Sequence, residues 1–410
     1  MGALPGGRPG GGGVTPVQAM GWVGVVAGVA TVAHAYVGYP AYLALRRRFF
    51  PRPLTLDEPP PASATIVLAA RNEADALPPR LEELCERAAA CDVPVDIVVV
   101  SDGSADGTAE VAREFESRGV TVVELKAHGG KANALNRGFA VAVGEILILT
   151  DVRQRFDDDT LPKLLAVFAD HDVAAASGQL VLEASDGVRA GVGIYWRYEK
   201  FIRQAEGETG SQIGVTGAIA AVRRSAIEAI EELPIDCLLD DVYWPLAVAT
   251  NDGIEGRRVV NVPDAKAYDR LPETDDRELD RKVRTLRGNF QLVQQNPAWL
   301  SPVRNPLWFR FVSHKLLRVL VPWAAAVAIV SGPLTWHPVG WAVSALTGSL
   351  VIACVVGFAT RYGRRHRLLS KFGSLGLVNW AAVLAAYHTV VGTPAEQLWT
   401  RRRGSRRRVY

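Results

Sequence analysis

The chain has 410 residues, 49% of them apolar and 22% charged, with a formal net charge of +3. Those values exclude a disordered chain, a wholly polytopic membrane protein and a strongly basic nucleic-acid binder. The average hides a division, because the middle is charged and the two ends are apolar. Cys85, Cys91, Cys237 and Cys354 show no C-x-x-C spacing and no metal-ligand pattern with the seven histidines, so they read as reduced, buried thiols.

Residues 1–17 are rich in Gly and Pro and read as disordered. Residues 18–45 are almost uncharged, long enough for a membrane-spanning helix of roughly 20 residues, and are followed by Arg46-Arg47-Arg48. A signal peptide would carry its basic residues before the apolar run. The positive-inside rule therefore sets the N-terminus outside and the chain after Arg48 in the cytoplasm. Residues 46–62 form a basic, Pro-rich linker.

The middle, 63–296, alternates short apolar runs with longer amphipathic ones. Strands are expected at Ala64–Ala70, Val95–Val100, Val120–Leu125 and Ile146–Thr150, and helices at Asp75–Ala90, Gly107–Ser117 and Lys131–Val143. This rhythm argues for an α/β domain, a mostly parallel sheet with helices on both faces. Neither the dinucleotide fingerprint G-x-G-x-x-G nor the phosphate loop is present.

Residues 297–315 mix Trp308, Phe309 and Phe311 with Arg304, Arg310 and Lys315 and read as an amphipathic segment at a membrane surface. Within 316–392, Leu316–Thr335 and Val339–Thr360 are two apolar runs, and Leu375–Val391 is a third, broken by Asn379 and His388. If the third spans, the Arg-rich tail, 393–410, lies outside; if it re-enters or lies flat, both basic clusters stay cytoplasmic.

Ligands collect beyond the carboxyl ends of parallel strands, and here each strand ends on polar residues. The first gives Arg71-Asn72-Glu73 and the second Ser101-Asp102-Gly103-Ser104-Ala105-Asp106-Gly107-Thr108. Asp102 is placed to accept from a nucleoside N–H or hydroxyl, whereas Asp106 is what a helix start wants as a cap. Gly129-Gly130-Lys131 opens the next helix, with glycines for close backbone approach and a lysine to attract phosphate. Asp151, after I-L-I-L-T, could hold a divalent cation bridging a diphosphate. Asp157, Asp158 and Asp159 precede a helix and read as cap and dipole residues.

Taken in order, A-A-R-N-E, S-D-G-S-x-D-G-T, G-G-K-A-N-A-L-N and L-T-D resemble the inverting family 2 glycosyltransferases of GT-A fold. The segments Tyr195–Lys200, Thr216–Arg224, Leu239–Val242 and Arg281–Thr285 continue that likeness, which runs from about Ala62 to Gln295. With flanking apolar helices, the layout is similar to bacterial polysaccharide synthases of the hyaluronan, cellulose and poly-N-acetylglucosamine type. The resemblance implies a membrane-anchored enzyme moving a sugar from a nucleotide donor, such as a UDP-sugar, to a polysaccharide or lipid-linked acceptor. It implies Mg2+ or Mn2+ at Asp151, and as partners the donor, the acceptor, membrane lipids, a second copy or an export component, but no nucleic acid. It implies a multi-pass place in the inner membrane.

Carried over by position, Asp241 is the general base, Asp240 stands for the usual glutamate, and Arg284 steadies the leaving diphosphate. Donor contacts fall to Arg71, Asn72, Glu73, Asp102, Lys131, Asp151, Arg153 and Arg281, and the acceptor falls to Trp196, Gly217 and Ala218. Two positions depart from the pattern: Arg153 replaces the second metal-site aspartate, and Thr285 replaces the tryptophan of the acceptor motif. These departures motivate a second reading, a nucleotide-sugar-binding or assembly subunit with impaired catalysis.

Overall fold

The computed structural model describes residues 14–183, 190–254, 256–270, 275–366 and 368–400. Pro16–Ala33 (α1) runs through a π-helical turn, His34–Gly38, into Tyr39–Phe49 (α2). The α/β part then alternates Ala64–Ala70 (β1), Leu77–Ala89 (α3), Val95–Asp102 (β2), Thr108–Arg113 (α4), Val120–Leu125 (β3), Lys131–Val141 (α5) and Ile146–Thr150 (β4). Next come Arg155–Phe156 (β5), Thr160–Ala166 (α6), Val173–Glu183 (β6), Ala190–Glu208 (α7), Ile219–Arg223 (β7), Arg224–Glu228 (α8), Asp240–Thr250 (α9), Arg258–Arg270 (β8) and Asp275–Gln295 (α10). The chain continues through Trp308–Phe311 (α11), Leu317–Leu334 (α12), Pro338–Ala359 (α13), Arg361–Arg365 (α14), Leu369–Val390 (α15) and Ala395–Thr400 (α16).

The strands form one sheet in the order β3-β2-β1-β4-β7-β6-β8-β5. The first four are mutually parallel, as the alternating sequence requires, while β7 pairs antiparallel with both β4 and β6. Strand residues alternate between the two faces. Ile146 and Ile148 join Leu81 and Leu84 of α3 and Leu161 and Leu164 of α6 on one side. Leu147 and Leu149 join Leu135 of α5, Trp244 of α9 and Leu292 of α10 on the other. Burial of one such side chain contributes roughly 1.5–3 kcal/mol, so the two helical layers fix which edge of the sheet carries the loops.

Among the described residues, four helices are long and apolar enough to cross a membrane: Pro16–Phe49, Trp308–Leu334, Pro338–Ala359 and Leu369–Val390. Small residues let them approach closely. A Cβ on Gly28 of α1 would lie 2.5 Å from the Ala324 carbonyl of α12, and one on Gly357 of α13 would lie 2.2 Å from the Leu369 carbonyl of α15. Residues 297–315 turn part of their polar surface inward: Arg310 and His314 are buried. The third apolar run starts six residues earlier than its composition suggests, at Leu369, and it packs along both α13 and α10. All four cysteines are free.

Candidate active site

The site lies where β1, β2 and β4 end side by side. Asp151 follows β4, and the buried Thr150 just before it is held from two directions. Its Oγ1 donates to the Ala218 carbonyl (2.8 Å) and accepts from the Arg80 guanidinium (2.8 Å). Arg80 is itself buried, stacked 4.3 Å over the Phe156 ring and paired with Glu83. The antiparallel register sets Ile219 opposite Thr150, which brings the Gly217–Ala218 turn beside Asp151.

Lys131 opens α5 and reaches into the same space. Its Nζ donates to Asp151 Oδ1 at 2.8 Å and stands 3.8 Å from Asp240 Oδ2. Burial alone would lower its pKa, but Asp151, Asp240 and Asp241 together raise it, which favours the ammonium form. A Cβ placed on Gly217 would lie 3.6 Å from Lys131 Nζ and 3.8 Å from the Asp241 Cβ, so a side chain there would narrow the space between them.

Asp240 and Asp241 form the first turn of α9. The Asp241 carbonyl accepts from Val215 N (2.8 Å), tying the helix start to the Gly217 turn. Burial raises the Asp240 carboxyl pKa; Lys131 opposes that rise, and the neighbouring Asp241 and Asp151 add to it. α10 approaches from outside: Gly288 packs tightly against Leu239, immediately before Asp240. Arg284 lies one helical turn before Gly288 on the same face, and Arg281 three residues earlier. Arg281 pairs with Glu278 (2.7 Å). Trp196 is on α7, and its side chain lies outside the described residues.

Asp102, at the end of β2, braces the neighbouring loop. Its buried carboxylate accepts from Gly129 N (2.7 Å) and Gly130 N (3.0 Å) and shares a hydrogen bond with His128 Nδ1 (2.7 Å). It therefore organises the glycine loop that launches Lys131. The close approach needs Gly103, with φ +58°, because a Cβ there would fall 2.4 Å from His128 N. His128, which opens the stretch His128-Gly129-Gly130-Lys131, is the exposed side of this contact.

Asn72, at φ 51°, accepts from Ala105 N (2.9 Å), and Glu73 N donates to Thr108 Oγ1 (3.0 Å). These residues staple the first strand end to the second. Arg71 keeps a buried Nε with no partner among the described residues. Asp106 is not the cap its position suggests: Gly107 is the N-cap of α4 and carries no side-chain cap bond, while Asp106, one residue earlier, accepts from Thr108 N in a local turn and from Ala74 N. The acidic run pairs instead of capping through side chains: Asp157 with Tyr268, Asp158 with Arg87, and Asp159 with Lys163.

A two-carboxylate cation site would need an oxygen ligand at position 153. Arg153 stands there, bound to Glu73 Oε1 at 2.7 Å, and Asp151 is already engaged by Lys131. Among the described residues, no three His, Cys, Asp or Glu side chains converge in a way that could hold a metal ion. The donor set does not fit the group that the resemblance implies.

A separate cavity of about 650 Å3 lies toward the N-terminal ends of β6 and β8, lined in part by Arg46, Arg52, Arg257, Arg258 and Arg310. Four of these arginines are held by Asp172, Asp252, Asp170 and backbone carbonyls, so the cavity walls are braced from within the protein.

Residues 65–231 match the family model described as Glycosyl transferase family 2. The poly-beta-1,6-N-acetyl-D-glucosamine synthase of Staphylococcus aureus (strain MSSA476) is 24% identical over 273 residues, 65% of this chain and 64% of that protein. The synthase of the same name from Staphylococcus epidermidis is 23% identical over 202 residues, 48% of each chain. The alignments thus span less than two thirds of these relatives. The structure of the mannosyltransferase PcManGT from Pyrobaculum calidifontis, in complex with GDP-Man and Mn2+, superposes with a TM-score of 0.66 at 20% identity, covering 92% of this chain and 99% of that one. The protein therefore carries a glycosyl transferase family 2 domain in a GT-A fold, joined to helices apolar enough to span a membrane.

Proposed function

We propose that this chain is a membrane-anchored, inverting glycosyltransferase that moves a sugar from a nucleotide-sugar donor to a polysaccharide or lipid-linked acceptor. The observation that carries the reading is the convergence of Asp241, Asp240, Lys131 and Asp151 around the Gly217 turn, at the carboxyl ends of the strands. Asp241 takes the proton from an acceptor hydroxyl as that oxygen attacks the anomeric carbon. The bond from the sugar to the diphosphate breaks, and the nucleoside diphosphate leaves with the electron pair, steadied by Lys131 and by Arg284. Direct displacement inverts the centre and needs no covalent nucleophile.

We assign Arg71, Asn72, Glu73, Asp102, Arg153 and Arg281 to the donor side and Trp196, Gly217 and Ala218 to the acceptor; Asp102 also shapes the glycine loop. The Mg2+ or Mn2+ of the family reading has only Asp151 to bind, and no step here runs through it. The division into an N-terminal helix at 18–45, a catalytic domain at 63–296 and a membrane region at 316–392 belongs to the same proposal. So does a cytoplasmic catalytic domain, supported by Arg46-Arg47-Arg48 at the end of α2.

The test is a donor screen on the purified full chain with UDP- and GDP-sugars. Turnover of one donor is expected, and Asp241→Asn should abolish it while nucleotide binding persists. Undiminished turnover in that variant overturns the assignment of the base.

A further inference from the structure

A donor diphosphate brings negative charge into a site that already holds Asp151, Asp240 and Asp241, so something cationic must meet it. The chain supplies that charge from its own side chains. Lys131 Nζ sits against Asp151 and near Asp240, at 2.8 and 3.8 Å, and so brings positive charge among the carboxylates. Arg153 occupies the position of the missing acid, and its guanidinium is held to Glu73 through one nitrogen while 64% of the side chain remains exposed. An arginine presents five donors in a fixed fork suited to phosphate oxygens, so the Glu73 contact aims the group without using it up. Arg71 adds a buried Nε, without a partner among the described residues, at the neighbouring strand end.

We infer that this site binds the donor's diphosphate without a resident divalent cation, with Lys131 between the carboxylates and Arg153 at the strand end supplying the positive charge. The inference rests on the glycosyltransferase reading and deepens it. Lys131 cannot serve as a mere surface cation, because Asp151, Asp240 and Asp241 all act on it. Its place at the first turn of α5, after a loop that Asp102 and Gly103 hold in one shape, fixes it before the donor arrives. Each binding contact from a charged donor to phosphate oxygen is strong relative to a neutral hydrogen bond, which suits two side chains to the work of one metal.

The experiment measures UDP and GDP binding to the full chain in detergent by calorimetry, once in EDTA and once in Mn2+. Electron paramagnetic resonance follows free and bound Mn2+ in parallel. The expected result is that one nucleotide binds with an affinity that changes by less than about threefold between the two conditions, without Mn2+ uptake. Lys131→Met should weaken binding about tenfold or more in EDTA, the scale of a lost charged hydrogen bond. Arg153→Asp, which restores the acidic pair, should create Mn2+ uptake and make nucleotide binding depend on it. Binding by the natural chain that needs Mn2+, or stoichiometric Mn2+ uptake by it, overturns this inference and leaves the glycosyltransferase reading standing. A folded chain that binds neither nucleotide under any condition overturns both.

Discussion

Asp240 and Asp241 are adjacent carboxylates with unequal surroundings. Asp240 turns toward Lys131, is buried, and has its carboxyl pKa raised, first by that burial. Asp241 is next on the same helical turn, with its carbonyl bound to Val215 and its Cβ facing Gly217. Asp240 stands 3.8 Å from Lys131 Nζ, which suits it to holding the lysine and agrees with the proposal that Asp241 takes the proton. The support beneath them is testable at Thr150. Thr150→Val keeps the shape but leaves the Arg80 guanidinium and the Ala218 carbonyl each short of a buried partner, at a cost of about 1–3 kcal/mol. The thermal midpoint should fall by several degrees and turnover should drop, because Ala218 adjoins Gly217. A variant with an unchanged midpoint would remove Thr150 from the frame of the site. Lys131, Asp151 and Asp241 were legible from sequence because each sits at a strand end or helix start. The inward turn of Asp102 was not, since it depends on the approach of two loops that share no local pattern.

At the scale of elements, α7 joins the apolar flanking helices to the Gly217 turn. Tyr198 donates to the Ala35 carbonyl (3.0 Å), and Arg203 donates to Thr216 Oγ1 (3.0 Å), next to Gly217. Glu206 accepts from Tyr39 (2.5 Å) and pairs with His314 Nδ1 (2.9 Å), while Glu199 takes the other ring nitrogen (3.2 Å) and Arg318. Arg310 donates to the Thr209 and Ser211 carbonyls at the end of the helix. The spacing of Glu199, Arg203 and Glu206, at i, i+4 and i+7, was a readable polar face. Its partners were not readable, because the mixed aromatic and basic residues of 297–315 look the same whether they meet lipid or protein.

Burial alone would raise both carboxyl pKa values. Arg318 and His314 outweigh it at Glu199, and His314 and Arg310 do so at Glu206, so both lie below the usual value, Glu199 well below. The unfolded chain therefore binds more protons in acid, and the contribution of these groups is full above about pH 4.3 and is lost as pH falls through the lowered folded values. Thermal midpoints measured from neutral pH down to about pH 3 should fall along that limb. Glu206→Gln should lower the neutral midpoint and flatten the acid decline. An equally steep decline in the variant would mean that other carboxylates govern it.

For the whole molecule, the remaining question is what α15 does. Its 22 residues are apolar enough to cross a membrane, yet it packs along two different surfaces. Gly376 meets the Cys354 carbonyl of the apolar α13, while the helix also lies against α10 and α7, and α10 carries Asp275, Asp276, Arg277, Glu278, Asp280, Arg281 and Lys282, which hydrocarbon would not accept. Asn379 donates to Tyr36 Oη (3.1 Å) where the π turn meets the catalytic domain. We propose that a helix held in this way lies at the membrane interface beside the α/β domain rather than crossing. Such a placement would leave all three arginine clusters of the sequence, 46–48, 361–367 and 401–408, on one side, in keeping with the positive-inside rule. Single cysteines introduced as Thr15→Cys and Ser405→Cys, with the four natural cysteines changed to Ser, distinguish the two topologies. An impermeant maleimide should label position 15 in intact cells and position 405 only after permeabilisation. Labelling of position 405 in intact cells would make α15 a full span and move the basic tail to the far side of the membrane.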